Sequence, residues 1–216
     1  MFHYVIFDLD GTLLNTLDDL ADAGNEICRQ NGWPVHPTEA YKRMVGNGIP
    51  RLVERFSPPE CRAPEQLADT LARFRDYYSA HSADRTAPYP GIPALLERLN
   101  AAGVYTGVFT NKADEIAVPL LERYFGRVFT AARGSLPGVP VKPDPAGLFD
   151  LMALMRADPA QTLFVGDSDV DILTGHNAGL PAAGVLWGFR SAEELRGAGA
   201  DFLAETPAQL LDLILR

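Results

Sequence analysis

Short apolar runs that end on polar residues recur along this chain, and their alternation with helical patterns constrains its fold more than any other feature. Tyr4-Val5-Ile6-Phe7 runs into Asp8, Val104 to Phe109 into Thr110, and Thr162 to Val165 into Gly166 and Asp167. Arg127 to Ala131 and Ala182 to Leu186 are of the same kind. Such β-branched and aromatic runs suit strands buried on both faces. Helical patterns over Asp114 to Tyr124, Pro145 to Met155 and Val170 to Ala178 separate them. Strands alternating with helices predict βαβ units. The expected fold class is therefore α/β, a doubly wound, mainly parallel Rossmann-like sheet with helices on both faces.

Between the first strand and the second lie about ninety residues with almost no strand signal, far more than a crossover requires. Leu17, Leu20, Ala21, Ala23, Ile27 and Cys28 recur there at helical spacing, as do Leu67, Leu71, Phe74 and Tyr78, with Pro37, Pro58, Pro59 and Pro64 as punctuation. Residues 15–83 are read as a small helical domain inserted after the first strand, and residues 1–14 and 84–216 as the α/β core. The chain returns through Ala87-Pro88-Tyr89-Pro90-Gly91, ahead of an amphipathic helix from Ile92 to Ala102. Leu210 to Leu215 reads as the inner face of a closing helix.

Charge and cysteine usage narrow the function. The net charge is −9 and no Lys/Arg-rich stripe interrupts it, so long-range repulsion opposes nucleic acid as a partner. No apolar run has the length of a membrane span, and the start of the chain lacks the basic and apolar segments of a secretory signal. Cys28 and Cys61 fit no metal-ligand spacing and no disulfide framework, so they read as reduced thiols. A cytoplasmic protein, monomer or homodimer, is expected.

In open α/β sheets the carboxyl ends of the strands line the ligand crevice. Asp8 and Asp10, Thr110 and Asn111, and Asp167, Asp169 and Asp171 are thereby expected to converge, with Lys142 offering a cation from a loop before a helix. Carboxylates a few ångströms apart repel and raise one another's pKa. A divalent cation is the natural remedy, and Asp side chains with backbone oxygens are hard ligands suited to Mg²⁺.

Asp8-Leu9-Asp10-Gly11-Thr12-Leu13, then Thr110-Asn111, Lys142-Pro143 and Gly166-Asp167-Ser168-Asp169-Val170-Asp171, resemble in order and spacing the four motifs of the haloacid dehalogenase superfamily. A helical insert directly after the first motif is similar to the cap of its phosphoglycolate phosphatases and β-phosphoglucomutases, and the Tyr89-Pro90-Gly91 return resembles the former. The resemblance implies a phosphatase acting on a small phosphomonoester. Asp8 would be the nucleophile and Asp10 the general acid and then base. Mg²⁺ would be bound by Asp8, the Asp10 carbonyl and Asp167. Thr110 and the Asn111 backbone would hold phosphoryl oxygens, and Lys142 would neutralise developing charge. Ser168 and Asp171 would support this set by hydrogen bonding, while Asp169 would cap the following helix. Val45 to Arg51 resembles the cap loop that meets substrate, which makes Gly48, Arg43 and Arg51 candidate substrate contacts. The arginines would suit a carboxylate such as that of 2-phosphoglycolate.

Other readings fare worse. A calcium loop begun at Asp8 or Asp167 needs Gly where Leu13 or Ile172 stands. Ser168 lacks the Gly-x-Ser-x-Gly elbow, and the four histidines show no ligand spacing. Dehalogenases and phosphonate-cleaving relatives lack the second aspartate of the first motif, which is present here as Asp10. A non-enzymatic binding protein would be expected to have lost Asp8 or Asp10. A β-phosphoglucomutase-like enzyme shares the same core and is separated by product, isomerised sugar phosphate instead of free phosphate.

Overall fold

The computed structural model describes residues 1–216. Its contacts divide the chain into two compact units, Met1–Asn15 with Pro88–Arg216, and Thr16–Ala87. In chain order, β1 (Tyr4–Phe7) and β2 (Leu14–Asn15) precede helices α1 (Leu17–Gln30), α2 (Thr38–Met44), α3 (Ile49–Phe56) and α4 (Pro64–His81). After β3 (Ala87–Pro88) come α5 (Ile92–Ala101), β4 (Tyr105–Ala113), α6 (Asp114–Phe125), β5 (Ala131–Ser135) and α7 (Ala146–Met155). The chain ends with β6 (Thr162–Gly166), α8 (Asp169–Asn177), β7 (Ala182–Val185), α9 (Ala192–Gly197), β8 (Phe202–Ala204) and α10 (Pro207–Leu215). No helix is long and apolar enough to cross a membrane.

Six strands form one sheet in the order β5-β4-β1-β6-β7-β8, every pair parallel. From β1 the chain builds outward through β4 and β5, then returns to the other side of β1 for β6, β7 and β8. The strand order thus reverses between β1 and β6, and ligands of open α/β sheets bind at such a point. Val5, Ile6 and Phe7 are fully buried, as a central strand covered on both faces requires, and each contributes about 1.5–3 kcal/mol. Ile6, Phe109 and Phe164 pack with Leu148, Leu151, Met152 and Met155 of α7 on one side of the sheet.

Two strand expectations need correction. The run at 127–131 is not a strand: Phe129 turns to pack edge-on against Phe125, and pairing begins only at Ala131. The second strand does not stop at Phe109 but continues through Thr110, Asn111 and Lys112 to Ala113, with an irregular register against β5 between Phe109 and Ala113. β8, three residues long, is an additional edge strand.

The helical unit has its own core. Tyr41, Phe56, Phe74 and Tyr78 are almost fully buried, with Phe74 5.9 Å from the Phe56 ring and 5.6 Å from that of Tyr78. Tyr41 lies so close to Gly24 that a methyl group there would overlap its ring. Asn25 holds His36 through both main-chain groups at 2.9 Å, so this histidine is structural. Buried Asp19 accepts from the Arg85 and Thr86 N–H groups and from the Thr86 hydroxyl, fastening the start of the unit to its end.

Candidate active site

The first motif is built as a turn that follows β1. The Asp8 N–H donates to the Val165 carbonyl at 2.8 Å, extending the β1–β6 ladder and fixing Asp8 at the strand reversal. The Leu9 carbonyl then accepts from the Thr12, Leu13 and Leu14 N–H groups. Gly11, at φ +85°, makes the turn, and a side chain there would overlap the Asp167 carboxylate. L-residues disfavour that backbone region, so both conformation and space demand glycine.

Asp8, Asp167 and Asp171 come together at the end of the sheet, buried, with carboxylate oxygens within 4.8 Å of one another. Each is held from a different direction. Asp167 accepts from the Thr12 hydroxyl at 3.1 Å and from the Phe189 N–H at 2.8 Å. Asp171 accepts from the N–H and hydroxyl of Ser168 at 3.0 and 2.6 Å, and from Lys142 Nζ at 2.6 Å. Lys142 Nζ also lies 2.8 Å from Asp8 Oδ1, but off the direction of a hydrogen bond, which leaves that buried oxygen without an aligned donor. The Asn111 side chain holds Lys142 in place: its Oδ1 accepts from the Lys142 N–H at 2.7 Å and its Nδ2 donates to the Lys142 carbonyl at 3.2 Å.

One ammonium among three carboxylates leaves two formal negative charges uncompensated in a buried site. The consequence appears in the acidities. Burial, eased by the Lys142 ammonium and worsened by Asp171 and Asp10, pushes the Asp8 carboxyl up to about 7. Burial and the neighbouring Asp171 and Asp8 charges hold Asp167 well above the carboxylate range, despite the Phe189 N–H and Thr12 hydroxyl. For Lys142 burial alone would lower the pKa, but Asp171 and Asp8 raise it above the ordinary lysine value. A buried, all-oxygen, over-negative pocket with an unaligned carboxylate oxygen fits a hard divalent cation.

The predicted residues fall into two groups. Asp8, Asp10, Thr110, Asn111, Lys142, Asp167, Ser168 and Asp171 all belong to the α/β unit. The Asp10 carboxylate stands outside the three-carboxylate cluster and meets Lys112 Nζ at 3.0 and 3.2 Å instead. Thr110 is buried, and its hydroxyl accepts from the Lys112 N–H at 3.3 Å. Arg43, Gly48 and Arg51 belong to the helical unit. Gly48 precedes α3 at φ +83°, Arg43 is exposed in the last turn of α2, and Arg51 pairs with Glu54 at 2.5 Å on an exposed face. The expectation that Asp169 caps a helix is corrected: Ser168 is the N-cap of α8, and Asp169 is its first residue.

Sequence reasoning missed two contributors. Lys112 is one of them. Arg55 is another: it braces the loop before α3 by donating to the Met44 carbonyl and Asn47 Oδ1, each at 2.7 Å. The run from Trp187 to Arg190, which the sequence places after the last main strand as part of the rim, meets the first motif: Trp187 Nε1 donates to the Thr12 carbonyl at 2.9 Å. Gly188 there leaves no room for a side chain against Asp167 and the Gly11 carbonyl.

Comparison with known proteins agrees with this geometry. Residues 5–185 match the haloacid dehalogenase-like hydrolase family. A phosphoglycolate phosphatase of Psychrobacter arcticus is 33% identical over 98% of this chain and 95% of its own. The solved structure of a Lactobacillus delbrueckii subsp. bulgaricus protein superposes with a TM-score of 0.93 at 30% identity, covering 99% of both chains. CbbY from Rhodobacter sphaeroides, solved in complex with phosphate, gives 0.80 at 25% identity over 97% of this chain and 96% of its own. With the four motifs gathered at the strand reversal and matches that run nearly end to end, this chain belongs to the haloacid dehalogenase-like hydrolases.

Proposed function

We propose that this chain, a phosphatase, hydrolyses a small anionic phosphomonoester of the 2-phosphoglycolate kind through a covalent aspartyl-phosphate on Asp8. The observation that carries the reading is the shared buried cluster of Asp8 and Asp167 at the reversal between β1 and β6. The residues fit Mg²⁺ held by Asp8, Asp167 and the Asp10 carbonyl. When bound, it supplies positive charge against the phosphate and polarises the phosphoryl group.

A carboxylate oxygen of Asp8 attacks phosphorus while the ester P–O bond breaks, and Asp10 gives its proton to the departing alcohol. Asp10, now a carboxylate, takes a proton from a water that attacks the acyl-phosphate, releasing phosphate and restoring Asp8. The Thr110 hydroxyl and the Asn111 main chain hold phosphoryl oxygens, and Lys142, locked by the Asn111 side chain, opposes the charge of a loose transition state. Asp171 and Ser168 hold Lys142 and the start of α8 in place.

The helical unit is assigned the part of a cap that selects substrate, with Gly48, Arg43 and Arg51 meeting the substrate's own anionic group. Support comes from the phosphoglycolate phosphatase relative, which this chain matches along nearly its whole length. Unpaired Cys28 and Cys61 accord with work in the cytoplasm. A panel of small phosphomonoesters with Mg²⁺, scored by kcat/KM and by product, tests the proposal. Free phosphate released fastest from 2-phosphoglycolate supports it, whereas an isomerised sugar phosphate would make the chain a mutase.

A further inference from the structure

Lys112 has no part in the chemistry described so far, yet its side chain is only 1% exposed. An ammonium taken out of water is costly unless it is paired, and an apolar chain of similar length packs a structural position as well or better. Lys112 therefore stands out as a buried charge whose visible use lies in the site. It sits in the irregular stretch of β4, two residues beyond Thr110, and its own N–H is tied to the Thr110 hydroxyl.

Its Nζ grips both carboxylate oxygens of Asp10, at 3.0 and 3.2 Å. Asp8, Asp167 and Asp171 converge on one another, and the Asp10 carboxylate, although two residues from Asp8 and 14% exposed, does not join them. A carboxylate on a short side chain beside a cation pocket has an evident alternative, which is to turn into the pocket as a further ligand. A two-oxygen contact to a cation fixes its direction instead.

We propose that Lys112 is the positioning residue of Asp10, holding its carboxyl clear of the Asp8, Asp167 and Asp171 cluster and free to serve the leaving group. The proposal rests on the reading of Asp10 as general acid. Lys112 exchanges no proton and makes no bond to substrate.

The test compares Lys112→Met, Lys112→Arg and Asp10→Asn on two substrates. One is 4-nitrophenyl phosphate, whose leaving group departs without a proton; the other is 2-phosphoglycolate, whose alkoxide needs one. Pre-steady-state release of the leaving group isolates the first step. Lys112→Met is expected to slow alcohol release about 100-fold, with nitrophenolate release within about threefold of the parent and KM little changed, in line with the usual size of general acid catalysis. Lys112→Arg, which restores a cation, is expected to recover most of the loss. Equal slowing of both substrates, or none, overturns the role of Lys112. If Asp10→Asn itself fails to discriminate between the substrates, the general-acid reading falls and the positioning role with it. If Asp10→Asn discriminates and Lys112→Met does not, only the positioning role falls. Should the Met variant not fold, Lys112→Gln takes its place with the same expectations.

Discussion

The charged residues proposed to act on substrate are held in opposite ways in the two units. In the α/β unit Asp8, Asp167, Asp171, Lys142 and Lys112 are buried, and each meets partners that come from distant parts of the sequence. In the helical unit Arg51 pairs only three residues along its own helix, at 64% side-chain exposure, and Lys42 pairs in the same way with Glu39. Exposed pairs of this kind contribute little and are easily exchanged. The buried set cannot change one member without stranding another. The difference teaches that the residues proposed for the chemistry are fixed by the sheet topology, and that those proposed to choose a substrate stand where exchange is cheap.

The sharpest way to break the comparison is Asp8→Asn. It is expected to lower phosphate release by about 10⁴-fold or more, as loss of a nucleophile does, while the circular dichroism spectrum stays that of the parent. EDTA is expected to match this loss reversibly; full activity in either assay refutes the mechanism.

Acidity gives the next test. The folded Asp8 carboxyl titrates at about 7 against an ordinary 3.8, so between these values the folded state binds more protons than the unfolded state. Stability from this group is then full below about pH 4 and is lost as pH rises toward about 7. Thermal unfolding of the EDTA-treated protein is expected to show a falling midpoint from about pH 5 to about pH 7, with the slope reduced by Mg²⁺ or by Asp8→Asn. A slope indifferent to both would mean the cluster carries no such strain.

Asp19→Ala probes the one buried acid that fastens the helical unit. It strands the Thr86 and Arg85 donors and is expected to reduce stability by about 3 kcal/mol in denaturant titration. Arg51→Ala is expected to have the smallest effect: a KM for 2-phosphoglycolate about tenfold higher, kcat within about twofold, and stability within about 0.5 kcal/mol. An unchanged KM would remove Arg51 from the substrate contacts.

Much of the site was legible because its residues announce themselves at the ends of apolar runs. Asp8 follows Tyr4–Phe7 and Asp167 follows the β6 run, so the pattern of apolar runs alone places both at strand ends of one sheet. What escaped depends on contacts that periodicity does not encode. Lys112 follows Asn111 as any solvated lysine could, and only the continuation of β4 past Phe109 brings it to Asp10. The Phe189 N–H that holds Asp167 is a main-chain group, invisible to any reading of side-chain types. β5 shifted by four residues because Val128 and Phe129 look more strand-like than Ala131–Ser135, whose Gly134 is required by its closeness to Asp114.

The double hydrogen bond between the Asn111 amide and the main chain of residue 142 works as a splice between two stretches of chain. It makes the end of β4 and the lysine a single mechanical part, although they are thirty-one residues apart. The splice stands between the partly exposed stretch from Leu136 to Val141 and the ammonium. An amide is the side chain that can give and accept at once, so a carboxylate at position 111 would keep one half of the joint, repel the other and loosen the hold on Lys142.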